Sequence, residues 1–185
     1  MGDPGTKEIL SLAELEAAGN FRTGRKHIVS ILAENKPGVL ARVAGLFSRR
    51  GFNINTLAVG PTDDPAFSRF TITLDGAVHS IDQVTKQLHK LVNVLKIRDL
   101  EPEETLAREL ALFKVAADGA ARGEVMQICE IFRAQIVDVS KRAVVAQVTG
   151  TQEKVDAFEA LVRPFGLIEM ARTGEIAIAR GRSET

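Results

Sequence analysis

The residues best suited to chemistry fall in one short stretch, Glu34-Asn35-Lys36-Pro37-Gly38-Val39-Leu40. An apolar run, 28–33, leads into it, and an amphipathic run, 40–50, leaves it. That pattern reads as a strand, a tight turn and a helix start. Pro37 suits the first helical turn, because its missing N–H would have no partner there. Asn35 can cap the helix with its side-chain oxygen. Gly38 has no Cβ, so a ligand can approach the backbone closely. Unpaired N–H groups and the positive end of the helix dipole then converge on one spot, which accepts a carboxylate or a phosphate. An ordinary strand-to-helix turn uses the same residues, so these types and spacings alone leave both readings open.

The rest of the chain offers little to a catalyst. It has no Gly-x-Ser-x-Gly elbow and no phosphate loop ending in Gly-Lys-Ser or Gly-Lys-Thr. His27, His79 and His89 share no metal-ligand spacing with one another or with Cys129. Cys129 is the single cysteine and lies on an apolar helix face, as a buried structural thiol would. Asp63-Asp64 falls in a turn by composition and reads as solvated, not as a metal site. Arg50-Gly51-Phe52 faintly echoes an RNA-recognition signature, but at a helix end, where that signature does not belong. Phe67 and Phe70 have opposite strand parity and cannot form one stacking platform. The formal net charge is zero, which argues against capture of nucleic acid or an anionic membrane.

The elements that must position the turn can be read in order. The 185 residues are 45% hydrophobic and 26% charged, which describes a globular protein with one large or two small domains. No apolar run approaches the roughly 20 residues of a membrane span, and the start lacks a signal-peptide core, so a cytoplasmic protein is expected. Residues 1–24 are weakly patterned. Leu10, Leu12 and Leu15 fit a short leader helix that is mobile or lies on a neighbour.

The first domain, 25–101, opens with a buried strand over 26–33. Leu40, Val43, Ala44 and Phe47 then fall on one helical face, with Gly51 placed to end the helix. Residues 53–59 form a second strand. Phe70, Ile72 and Leu74 alternate with Arg69, Thr71 and Thr73, which marks a half-buried third strand. Ser80 can cap a helix carried by Ile81, Val84, Leu88 and Leu91, and 94–100 closes the unit as a strand.

The acidic stretch at Glu101-Pro102 marks a boundary. The second domain, 102–185, repeats the order: a strand over 110–116, a helix on Val125, Ile128, Cys129 and Phe132, strands over 135–139 and 143–149, and a helix on Val155, Phe158 and Val162. Short strands over 167–171 and 175–179 flank the turn at Thr173-Gly174, the latter as an extra edge strand. The predicted fold class is α+β, two ferredoxin-like βαββαβ domains.

Residues 26–100 resemble an ACT domain. From Lys26 onward the chain resembles the regulatory small subunit of acetohydroxyacid synthase, also called acetolactate synthase. The first-domain segments that carry the likeness are the Glu34-to-Leu40 turn, Arg42-Val43-Ala44-Gly45-Leu46-Phe47, Arg50-Gly51-Phe52-Asn53-Ile54, Pro61-Thr62 with Ser68-Arg69, and Lys86-Gln87-Leu88-His89-Lys90-Leu91. In the second domain they are Phe132-Arg133-Ala134-Gln135-Ile136-Val137-Asp138-Val139 and Ala171-Arg172-Thr173-Gly174. The resemblance implies a non-catalytic dimer, joined through its ACT domains, that activates a catalytic large subunit. It also implies feedback inhibition of that subunit, usually by valine, at the head of branched-chain amino-acid synthesis. Cofactors are then expected only on the catalytic partner, as thiamine diphosphate, Mg²⁺ and FAD, with none on this chain.

Such an effector offers a carboxylate, an ammonium and a small apolar side chain. The N–H groups of Gly38, Val39 and Leu40, in the turn that Asn35, Lys36 and Pro37 open, suit the carboxylate. The Asn53 side-chain oxygen or a backbone carbonyl suits the ammonium. Val39, Leu40 and Ile54 suit an isopropyl group. Asn35 and Asn53 are also good turn and cap residues, so each carries a competing structural role. The alternatives are a stand-alone ACT-type sensor of another enzyme and an independent enzyme.

Overall fold

The structure is a computed structural model that describes residues 26–49, 53–75, 81–182 and 185. The leader helix, the Gly51 and Ser80 caps, His79 and the Arg50-Gly51-Phe52 echo lie outside the described residues.

The first unit runs β1 (Lys26–Glu34), α1 (Val39–Arg49), β2 (Ile54–Pro61), β3 (Phe67–Asp75), α2 (Ile81–Leu88) and β4 (Val94–Leu100). Its sheet has the order β2-β3-β1-β4, with every pair antiparallel. Alternate residues of a strand face opposite sides, so Val29, Ile31 and Ala33 of β1 and Phe70, Ile72 and Leu74 of β3 point to the helices. There they meet Val43 and Phe47 of α1 and Val84 and Leu88 of α2.

Glu101 and a short 3₁₀ turn, Pro102–Glu104, lead into the second unit. It runs β5 (Thr105–Ala116), α3 (Gly119–Phe132), β6 (Gln135–Val139), β7 (Ala143–Gly150), α4 (Gln152–Val162), β8 (Leu167–Arg172) and β9 (Ile176–Ala179). The sheet order is β6-β7-β5-β8, and β9 also pairs with β5. Phe158 of α4 packs on Phe113 of β5 and, edge-on, on Phe132 of α3, with ring centroids 5.1 and 5.5 Å apart. Cys129 lies in this core, and burial pushes its thiol above its ordinary pKa.

Two expectations change. First, β5 starts five residues before the predicted 110, because Thr105 to Arg108 pair with Ala179 to Ile176. The Thr173-Gly174 turn does not reverse the chain. Arg172 lies opposite Ala111 and Ile176 opposite Arg108, so β9 continues β8 along the same long strand. Second, β3 is buried on both faces. Thr71 and Thr73 are 3% and 1% exposed. Their face of the sheet also carries Ile28 and Leu100, since Ile28 lies opposite both Thr73 and Leu100. The β5–β9 ribbon covers that face, packing Ala177 and Ala179, with Ala107 beside them, on Ile28 and Leu100. Small side chains let the two layers approach closely. The polar alternation of β3 predicted solvent, and the ribbon stands in the solvent's place.

Candidate functional site

Backbone bonds first fix the turn after β1. Asn35 N donates to Ala66 O at 2.8 Å, and Lys36 N to Glu34 O at 3.0 Å. Val39 N then donates back to Lys36 O at 3.3 Å, which places Pro37 and Gly38 at the centre of a four-residue turn. Gly38 has φ 83°. Proline followed by a glycine at positive φ is the signature of a type II turn. The first bond of α1 runs from Arg42 N to Gly38 O at 3.0 Å. Gly38 is therefore the N-cap, and Pro37 lies one residue before it, outside the first helical turn where the sequence placed it.

Asn35 is not the cap. Its side-chain amide donates to Pro65 O at 3.1 Å, tying this turn to the β2–β3 connection. The expected capping oxygen is displaced because the helix starts four residues later, at Val39.

This geometry decides which donors remain. The Val39 N–H is taken by the turn. Among the described residues, the N–H groups of Gly38, Leu40 and Ala41 have no acceptor. They lie at an exposed helix start, with open space where a Gly38 Cβ would stand. The spot can accept an anion.

The flanking charges are already partnered. Glu34 accepts from Asn93 Nδ2 at 2.5 Å and pairs with Lys36 Nζ at 3.0 Å. These contacts, the Asn93 amide first, hold its carboxyl below the ordinary value. Asn93 Oδ1 in turn accepts from Arg42 at 2.6 Å. Sequence reading assigned Asn93 and Arg42 no part here, because Asn93, on the approach to β4, meets Glu34, and Arg42 of α1 meets Asn93, only in the fold.

The remaining predicted residues divide. Asn53 is exposed; its amide donates to Asn55 Oδ1 at 3.1 Å, and its own Oδ1 accepts nothing among the described residues. Val39, 4% exposed, belongs to the core and offers little surface to a ligand. Ile54 is half-buried against the same core, whereas Leu40 is 46% exposed.

The second unit treats its corresponding turn differently. Arg122 of α3 donates to Ala117 O, Ser140 O and Lys141 O at 2.9, 2.6 and 2.9 Å. One guanidinium there bridges the β5–α3 and β6–β7 connections. Among the described residues, no cluster of His, Cys, Asp or Glu could hold a metal ion, and no helix is long and apolar enough to cross a membrane.

Comparison with known proteins agrees with this division. Residues 29–96 match the family described as the AHAS small subunit-like ACT domain, and residues 108–181 match the small subunit of acetolactate synthase. The acetolactate synthase small subunit of Mycolicibacterium smegmatis is 47% identical, over 84% of this chain and 91% of its own length. That of Haemophilus influenzae is 48% identical, over 84% and 96%. The crystal structure of the Thermotoga maritima small subunit superposes with a TM-score of 0.80 at 43% identity, covering 86% of this chain and 99% of that one. With both units matched in order and nearly the whole length of each relative covered, the chain belongs to the acetolactate synthase small-subunit family.

Proposed function

We propose that this chain activates the catalytic subunit of acetohydroxyacid synthase and makes it sensitive to feedback inhibition by valine or another branched-chain amino acid. The observation that carries the effector reading is the Pro37-Gly38 turn, with unpaired N–H groups at Gly38 and Leu40 in open space. The effector carboxylate binds those groups, where the helix dipole and free donors act together. Asn53 and Ile54 lie at the opposite end of the sheet from this turn, since Ile54 pairs with Leu74 and Glu34 with Phe67. They complete the site only across the ACT–ACT interface. There the partner subunit's Asn53, whose Oδ1 accepts from no described residue, takes the ammonium, and Leu40 with the partner subunit's Ile54 meets the isopropyl group. Lys36 contributes little net charge, because Glu34 already pairs with it. Asn35 acts by holding the turn against Pro65.

The chain works as a homodimer through its ACT domains. β2 supports this, since it is an edge strand of the first sheet with one side unpaired. The subunit is regulatory and brings no cofactor of its own; thiamine diphosphate, Mg²⁺ and FAD belong to the catalytic partner. Discrimination by one methylene is worth only about 1–3 kcal/mol, so leucine and isoleucine bind more weakly without being excluded.

Titration calorimetry of the full chain with valine, leucine and isoleucine tests the site, and reconstitution with the catalytic subunit tests the partnership. Binding of valine together with raised and valine-sensitive acetolactate formation is the expected result. A chain that binds an amino acid but not the catalytic subunit would be a sensor for another enzyme. A chain that forms acetolactate alone would be an enzyme.

A further inference from the structure

The Ala171-Arg172-Thr173-Gly174 segment plays no part in the proposed effector site, and it lies where the two units meet. Gly174 is buried at φ 73°, and a Cβ added to it would stand 2.8 Å from Thr56 Cβ on β2. Real Cβ atoms do not approach so closely, so only glycine fits there. The turn is tied to the second unit. Arg172 donates to both carboxylate oxygens of Glu109 at 2.7 and 2.8 Å and to Asp156 of α4 at 2.7 Å. Thr173 N donates to Leu110 O at 3.0 Å. The next residue, Glu175, pairs with Lys26 at the start of β1, and Lys26 also donates to Gln152 of α4 at 2.5 Å.

Thr56 has its own tie on the other side. Its hydroxyl bonds the Thr73 hydroxyl at 2.6 Å. It follows directly on an irregularity in the β2–β3 pairing, between Ile54 and Thr56. Beside the contact, a cavity of about 520 Å³, lined by Thr56, Arg172 and Thr173 among others, leaves room for the turn to shift. Displacement of Ile54 reaches Thr56 within two residues. Thr56 cannot move toward Gly174 without moving the turn, and the turn carries the ion pairs that reach α4.

We propose that the contact of Gly174 with Thr56 is a positioning joint, which transmits effector occupancy at Asn53 and Ile54 to the second unit; the inference rests on the effector reading above. Coupling of this kind is reciprocal, so a change on either side of the joint must be felt on the other.

The test uses the full chain, alone and reconstituted with the catalytic subunit. Gly174→Ala puts a methyl into the joint, and Thr56→Gly removes the atom that it meets. The Gly174→Ala chain is expected to bind valine within threefold of the parent affinity, while the concentration for half-inhibition of the complex rises tenfold or more. Adding Thr56→Gly should recover at least half of that shift, which strain at Gly174 alone would not allow. An unchanged inhibition curve, or the same shift in both backgrounds, overturns the joint. Amide exchange without effector judges it separately. Gly174→Ala should speed exchange by at least threefold along β2, and Thr56→Gly should do so along β9. Exchange changes that stop at the substituted unit overturn the joint whether or not valine binds. If the parent chain binds none of the three amino acids, only the effector reading falls, and the exchange result then decides the joint.

Discussion

The two units share one element order but tie down the turn after their first strand with different side chains. In the second unit a side chain fills that place: Arg122 spends its guanidinium on three backbone carbonyls from two connections. In the first unit Asn35 makes a single bond to Pro65. Both helix starts leave N–H groups without an acceptor among the described residues, at Gly38 and Leu40 in the first and at Gly119 and Ala121 in the second. The same contrast holds for charge. The second unit buries Glu109, 3% exposed, under Arg172. Around the first turn the charges of Glu34 and Lys36 stay at the surface. In one copy a guanidinium locks the turn to the neighbouring connection, and in the other a single side-chain amide does so.

The largest expected effect breaks the second unit. Arg172→Leu leaves Glu109 buried without its partner, and removing one member of a buried pair costs about 3–5 kcal/mol. Urea unfolding should show that loss. A loss below about 1 kcal/mol would mean that the buried pair is not holding this unit.

A smaller effect sharpens the contrast between the turns. Arg122→Met removes charge-assisted bonds to the carbonyls, each worth about 1.5–3 kcal/mol. Stability should fall by roughly one such bond, because solvent reaches Ser140 and Lys141. Valine inhibition of the reconstituted complex should not change. Altered valine sensitivity would show that the second turn takes part in effector binding.

The smallest effect is a shift in titration. In the folded chain Asn93 and then Lys36 hold the Glu34 carboxyl below its ordinary pKa. Their stabilisation is thus present above the unfolded-state pKa and is lost as pH falls through the folded value. Asn93→Ala should raise the Glu34 midpoint toward the ordinary carboxylate value, as read by NMR titration of its side chain. A midpoint that stays put would assign the shift to Lys36 alone.

Much of this was legible in the sequence. Val43 and Phe47, or Val155, Phe158 and Val162, fall on single helical faces, and the core is where they point. The turn itself was legible because proline and glycine restrict the backbone in known ways. Its detailed geometry was not. Asn35 finds Pro65 thirty residues away, and the Pro37-Gly38 turn delays the helix start to Val39. Thr71 and Thr73 read as solvent-facing because the ribbon that buries them comes about a hundred residues later. Gly174 read as an ordinary turn glycine because Thr56, which leaves it no room for a Cβ, lies on the other unit.

The central claim is that a ligand carboxylate sits at the Gly38 N–H. Gly38→Asp places a second carboxylate there, and Gly38→Asn places a neutral side chain of the same size. Both carry the strain of φ 83°, so their difference isolates the charge. Two like charges a few ångströms apart repel by about 4 kcal/mol at an effective dielectric near 20. Even half of that weakens binding by more than tenfold. The measurement is acetolactate formation by the reconstituted complex against valine concentration. The account predicts that the Asp variant still activates the catalytic subunit but needs at least tenfold more valine for half-inhibition than the Asn variant. Identical inhibition curves for the two, with both folded and bound to the catalytic subunit, would contradict it.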